Sequence, residues 1–296
     1  MKLAKQLNTA NLLLVLPFFV VIIILKSIKW NFLLKIQGIR IPLNMVFRYY
    51  TASLFWGIIT PGRIGGEAAK ILYLTKLGSG AGRAALSVIL DRLLDLISLL
   101  LLTGIAVSLV FHKLIWLFIS LAVSGLIWLV LCKMRSKLRF SGDWHRGFSF
   151  LPERFLKAFS EFRDQFRKDI GKFSFSKVTL LSVFSVVIWL AYTFPFLLLG
   201  RRIGIEASPL FLITGIFAAA VIAILPISIG GIGTRDVFFV FYFGQLGTPV
   251  ENSLLFSFMF IYMYIFNLAL GFIIQPNKKQ GMLIGISRNS NKERSI

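Results

Sequence analysis

The chain has 296 residues, 57% of them hydrophobic and 15% charged, with 30 Phe and a formal net charge of +21. Soluble domains are about 25% charged, and several apolar runs here approach the roughly 20 residues that cross a bilayer. Composition therefore predicts an all-α, polytopic membrane protein and excludes an ordinary soluble enzyme. Most of the excess Lys and Arg lies between apolar runs, which points to topology and anionic lipid and not to nucleic acid. The single cysteine, Cys132, leaves no intrachain disulfide. His112 and His145 fall in no metal-ligand spacing, so neither a metal nor another cofactor is expected.

In chain order, Leu12–Ile28 reads as a retained first span. Lys26, Lys29, Lys35, Arg40 and Arg48 follow it, against only Lys2 and Lys5 before it. The richer flank should be cytoplasmic, with the N-terminus outside. Leu43–Thr60 is apolar and breaks at Pro61; Gly65–Leu77 resumes, and Lys70, Lys76 and Arg83 follow. A full crossing by Leu43–Thr60 would put those three cations outside, so a re-entrant hairpin from the cytoplasm is expected. Ala84–Val110 then goes out, His112 and Lys113 turn, and Leu114–Leu131 returns.

Residues 133–177 form a polar segment with twelve Lys/Arg against five Asp/Glu. Within it Phe155, Phe159, Phe162 and Phe166 make a helical stripe beside Arg154, Lys157, Arg163, Arg167 and Lys168. Such a basic helix over 151–170 either lies on the anionic inner leaflet or packs on the protein's own cytoplasmic face. Val178–Gly200 goes out again, and Arg201, Arg202 and Glu206 form an external loop. Leu210–Leu225 enters and breaks at Pro226, Val237–Phe243 returns, and Leu254–Ile274 goes inward. The expected organisation is one membrane domain over 1–276, with halves 12–132 and 178–274, then a disordered basic cytoplasmic tail, 277–296. About five full spans and two broken hairpins are expected, in an inverted repeat.

The two breaks share a pattern. Pro61-Gly62-Arg63-Ile64-Gly65-Gly66-Glu67 and Pro226-Ile227-Ser228-Ile229-Gly230-Gly231 both read P-x-x-I-G-G. Each lies near a basic–acidic pair, Glu67 with Lys70 and Arg235 with Asp236. Gly/Pro-interrupted apolar segments at corresponding places in two halves point to a binding site at a repeat interface. Helix N-termini at Gly65-Gly66 and at Gly230, Gly231 and Gly233 favour anions, and Arg63 and Arg235 suit a phosphate by bidentate pairing. Tight helix packing is the alternative reason for these glycines. No G-x-x-x-x-G-K-[ST] occurs, so this is not a P-loop.

Asp91-Arg92-Leu93-Leu94-Asp95 supplies further charge at depth. Asp91 and Asp95 share a helix face and repel unless a cation lies between them. Arg63, Lys70 and Arg235 are candidate partners, and Arg92, on another face, is expected to meet a different element. Ionisable groups inside a membrane are by default functional candidates, so this pair could carry a coupling proton. Structural locking of helices is the alternative.

On Pro61–Glu67, Asp91-Arg92 within Val88–Leu94, and Pro226–Asp236 followed by Gly244 and Gly247, the chain resembles the lysylphosphatidylglycerol synthase transmembrane family over roughly residues 12 to 274. The resemblance implies a multi-pass protein of a bacterial or archaeal plasma membrane that moves lipid between leaflets. Larger members carry a soluble domain that makes aminoacylated phosphatidylglycerol. The one sizeable polar segment here is about 45 residues, so aminoacyl transfer is not expected. Family members commonly have one more span before the element that begins near Leu12.

The resulting expectation is a lipid translocase, not an enzyme, whose partners are membrane lipids: an anionic phospholipid or a polyprenyl-linked phosphate. Self-association is a further expectation. Competing readings are a membrane transferase using a lipid-linked donor, with Asp91 and Asp95 as its carboxylates, and a non-catalytic partner of a lipid-modifying enzyme. No paired carboxylates of the D-x-D kind lie in a polar loop, which counts against the transferase.

Overall fold

The structure, a computed structural model, describes residues 9–60, 64–137, 164, 168–224, 228 and 231–276. Arg63, Gly230, the Phe155–Phe166 stripe and the tail from 277 lie outside these residues. The described residues form helices and no strand: α1 (Thr9–Ile36), α2 (Leu43–Ile59), α3 (Ile64–Lys76), α4 (Ala81–Phe111), α5 (Ile115–Lys137), α6 (Phe175–Arg202), α7 (Pro209–Ile222), α8 (Thr234–Gly244) and α9 (Val250–Ile273).

Helices α1, α4, α6 and α9 are long and apolar enough to cross a membrane. Helix α5, at 23 residues, also has the length for a crossing. The remaining four come in two pairs. Helices α2 and α3 have 17 and 13 residues, or about 26 and 20 Å at 1.5 Å per residue. Helices α7 and α8 have 14 and 11 residues, about 21 and 17 Å. All are shorter than a hydrocarbon core of about 30 Å, so each pair enters and turns back.

Helices α2 and α3 pack closely, and so do α7 and α8. Chain-end helices follow the same logic: α3 packs on α4 as α8 packs on α9, and α9 covers α2 as α4 covers α7. The unit α1–α4 is therefore repeated by α6–α9, with α5 as the connector. Helices α1 and α6 meet in reverse order along the two chains. Asn11 contacts Arg202, the Phe18 and Phe194 rings meet at a tilt with centroids 5.0 Å apart, and Lys29 reaches Ser185 at 3.2 Å. Since α1 and α6 are corresponding elements and run antiparallel, the repeat is inverted. The expected architecture is thus present.

Without water between helices, membrane packing relies on close backbone approach. A Cβ on Gly66 would lie 2.7 Å from the Ser53 carbonyl oxygen, and one on Gly271 would lie 2.7 Å from that of Thr51. These contacts draw α3 and α9 onto α2. Several of the Phe pack together where α1, α6, α8 and α9 meet. Phe196 stacks on Phe260 with centroids 4.0 Å apart, and Phe239 meets Phe256 edge-on at 5.1 Å. Large apolar side chains such as Leu13, Phe118, Val183 and Phe272 remain exposed, as a lipid-facing surface requires.

The described end of the polar segment docks on the protein. Asp169, fully buried, pairs with Arg83 at 2.8 Å and Lys172 at 2.5 Å. Ile170 and Phe173 pack on Leu33, Leu86 and Leu181. Residues 168–173 therefore tie the ends of α1, α4 and α6 together.

An inverted repeat fixes which turns share a face. In a Cys132→Ser background, Lys76→Cys and Lys177→Cys should react with a membrane-impermeant maleimide from one side. Lys113→Cys and Gln245→Cys should react from the other. Labelling of Gln245→Cys together with Lys76→Cys would be incompatible with hairpins that open oppositely.

Candidate functional site

Helix α1 runs two turns beyond the expected Ile28 and ends at Ile36. The extension carries Lys29 into the protein, where it is 1% exposed. Its ammonium stands between the two aspartates of α4, 2.8 Å from Asp91 Oδ1 and 2.5 Å from Asp95 Oδ1. It also donates to Ser185 Oγ of α6 at 3.2 Å. Asp91 and Asp95 thus have the intervening cation that their spacing requires, and it comes from α1.

The pairing continues outward. Lys70 of α3 lies 3.6 Å from Asp91 Oδ2 and 3.4 Å from Glu67 Oε2. Arg92 Nε donates to Glu67 Oε1 at 2.6 Å. The result is a ladder of alternating sign: Asp95, Lys29, Asp91, Lys70, Glu67, Arg92. Three cations face three carboxylates, so the ladder is neutral. Side-chain exposure is lowest in the middle of the ladder, 1% at Lys29 and 5% at Asp91 and Lys70, and rises to 18% at Asp95 on one side and to 19% at Glu67 and 43% at Arg92 on the other. Its buried middle is covered by rings, and the Asp95 backbone is tied to α6. Lys70 Nζ sits 4.4 Å from the Tyr50 ring centroid and 5.5 Å from that of Trp30, and Trp189 Nε1 donates to the Asp95 carbonyl at 3.0 Å. Arg92 does meet another element, as its position on α4 implies.

The second half builds a different cluster. Gly231 and Gly233 have φ of 82° and 84°, in the left-handed region that suits glycine. They turn the chain into α8, where Asp236 accepts from the Gly233 amide at 2.9 Å. Arg235 is 1% exposed, and its Nε donates to Ser257 Oγ at 3.1 Å. Ser257 in turn donates to Asp236. The Arg235 guanidinium lies over Phe260 and Tyr264, 4.6 and 5.6 Å from their centroids. Arg235 is held by α9, whereas Lys29 and Lys70 take the aspartates of α4.

At the first break the Gly65 amide donates to Thr60 Oγ1 at 2.8 Å, so that N-terminal donor is already satisfied. Gly66 serves the close approach of α3 to α2. Among the candidate residues, Glu67, Lys70, Asp91, Arg92 and Asp95 come together, and Arg235 and Asp236 form the second group. Arg63 and Gly230 are outside the described residues. Lys29 escaped the sequence reading because it was counted as a topology flank. The signal was the apolar run Trp30, Phe32, Leu33 and Leu34 beyond it, which places Lys29 inside the helix.

The family model described as "Lysylphosphatidylglycerol synthase TM region" matches residues 1–271. The chain belongs to this family. Within curated proteins, it is 26% identical over 263 residues to "UPF0104 membrane protein PH1989" of Pyrococcus horikoshii, covering 80% of this chain and 77% of that one. It is 26% identical over 275 residues to "UPF0104 membrane protein MJ1595" of Methanocaldococcus jannaschii, covering 84% and 79%. No solved structure matches. Family and fold agree on a multi-pass membrane protein, with relatives named from archaea.

Removing one member of a buried pair leaves an uncompensated charge and typically costs about 3–5 kcal/mol. Lys29→Met should therefore lower thermal stability in detergent strongly, by about that amount. Lys29→Met combined with Asp91→Asn should recover part of the loss. If Lys29→Met melts as the parent does, the ladder does not hold α1 to α4.

Proposed function

We propose that this protein translocates an anionic, phosphate-bearing lipid, a phospholipid or polyprenyl-linked phosphate, between leaflets of a prokaryotic plasma membrane. The reading rests above all on the neutral ladder at the first broken helix, buried at Lys29 and open at Arg92. Charges inside a membrane are costly, and a solvent-reaching row of them is better suited to a path than to a lock. Broken helices in inverted halves are the usual setting of a transport site. The two clusters also differ in access: Arg92 is exposed while Arg235 is enclosed, the asymmetry that an alternating mechanism requires at any one moment.

In this reading the head-group phosphate exchanges with Glu67 on Lys70 and Arg92, and Arg63 assists from the break. At the other end the phosphate takes Arg235 from Ser257. The acyl or prenyl chain stays in the bilayer. The lipid moves down its gradient, or with protons exchanged at Asp91 and Asp95 as Lys29 changes partner between them. The basic segment and tail face the cytoplasm, and the N-terminus faces out.

Purified protein in phosphatidylglycerol liposomes with a fluorescent lipid tests this, read as dithionite-accessible label over time. A charge-assisted hydrogen bond is worth about 1.5–3 kcal/mol, so Arg235→Gln should slow translocation per folded molecule about ten-fold or more. Arg63→Gln should do the same. Normal rates in both variants, or no translocation by the parent protein, would refute the reading. Proton coupling predicts that Asp95→Asn flattens the pH dependence of transport. Unchanged dependence in Asp91→Asn and Asp95→Asn alike removes the coupling and leaves translocation standing.

A further inference from the structure

The elbow between α1 and α2 holds a groove that the ladder does not use. Helix α1 stops at a turn in which the Ile39 amide donates to the Leu34 carbonyl at 2.9 Å and the Gly38 amide to that of Lys35 at 3.0 Å, with Gly38 at φ 83°. Pro42 then starts α2, so the elbow is fixed at both ends. A cavity of about 740 Å³ opens there, lined by Asn31, Lys35, Arg40, Ile41, Pro42 and Leu43. The lining carries two cations and no acid.

Asn31 makes the groove more than a basic surface. It is 6% exposed, and its side-chain oxygen has no hydrogen-bond partner among the described residues. Buried polar atoms are normally paired, and an acceptor left without a donor among the described residues, on a residue that lines the groove, suits a hydroxyl brought by a ligand. Lys35 and Arg40 sit where an apolar span gives way to polar sequence, at head-group level. Leu43 is 44% exposed beside them, and Phe32, one residue from Asn31, is 38% exposed, so apolar chain surface continues toward the bilayer.

We infer that this groove holds an anionic phospholipid as a resident ligand. Lys35 and Arg40 pair with its phosphate, a head-group hydroxyl donates to Asn31 Oδ1, and an acyl chain runs along Leu43. The ligand class follows from the lining: two cations for one phosphodiester, one acceptor for one hydroxyl, and an apolar exit for the chain. This site is separate from the ladder and needs no transport, so it stands or falls independently of the translocase reading.

The test is lipid retention by the purified full chain in detergent, measured by native mass spectrometry with phosphatidylglycerol, phosphatidylmethanol and phosphatidylcholine of equal chains. Each surface cation contributes about 1 kcal/mol toward an anionic head group, so Lys35→Gln with Arg40→Gln should weaken phosphatidylglycerol binding about thirty-fold. Both side chains are exposed, and the lipid-free melting temperature should not change. Lys76→Gln, an exposed cation at the α3–α4 turn, should leave binding unaltered. Phosphatidylmethanol, a singly charged phosphodiester without the glycerol hydroxyls, should bind several-fold more weakly than phosphatidylglycerol, and zwitterionic phosphatidylcholine more weakly still.

Unaltered binding in the double variant would overturn the site. An equal loss in Lys76→Gln would show general attraction to a basic face. Equal affinity for phosphatidylmethanol and phosphatidylglycerol would remove the hydroxyl contact to Asn31. Displacement of the lipid by millimolar inorganic phosphate would mark a free-phosphate site instead.

Discussion

Lys29 between Asp91 and Asp95 is the contact on which the rest of the arrangement turns. Two carboxylates one turn apart on a membrane helix repel, and neither can be hydrated well once α1, α4 and α6 close around them. A single ammonium from α1, bonded also to Ser185 of α6, compensates both and ties three long helices at one level. The cost of burying ions is met only when geometry is good and remaining hydrogen-bond positions are filled. Here the next cation, Lys70, takes the second oxygen of Asp91, and its own remaining surface is covered by the Tyr50 and Trp30 rings. Each charge is thus solved by the next until Arg92 reaches the exposed end.

The ladder also explains why α3 is a broken and not a spanning helix. A continuous helix from Leu43 to Lys76 would carry Glu67 and Lys70 away from α4. Folding back between Thr60 and Ile64 returns them beside Asp91 and Arg92, and small residues make the return tight enough. Gly66 admits α3 to the backbone of α2, and Gly271 admits α9 from the other side. The hairpin is held by packing along its length and by ion pairs at its base.

The two halves use one architecture for unlike interiors. At the first break the partners come from α1 and α4, and the cluster is ionic. At the second, α9 supplies Ser257, which bonds Arg235, and Phe260 and Tyr264, whose rings lie under it, with Asp236 alongside. A guanidinium tolerates such a ring-lined site because it is planar and weakly hydrated, whereas an ammonium such as Lys29 demands carboxylates. Nearby Phe residues pack α8 against α9 and leave the second cluster enclosed.

Much of this was legible in the residues. Apolar run lengths gave the spans, the repeated P-x-x-I-G-G gave the two breaks, and the distribution of Lys and Arg required hairpins in place of crossings. These features follow from bilayer thickness and from the backbone limits of Pro and Gly, which act locally. The spacing of Asp91 and Asp95 even announced that a cation must stand between them. Which cation it would be was not legible. Lys29, Lys70, Arg63 and Arg235 are all far from Asp91 in sequence, and pairing depends on where helices cross and how far each extends. Two further turns of α1 moved Lys29 from a presumed flank into the interior. The antiparallel meeting of α1 with α6 brought Ser185 to it, and the packing of α9 on α8 drew Arg235 away to Ser257. Sequence fixes what each segment can do alone in a membrane; the identity of partners is a property of helix packing, because only the crossing geometry decides which charges come within a few ångströms.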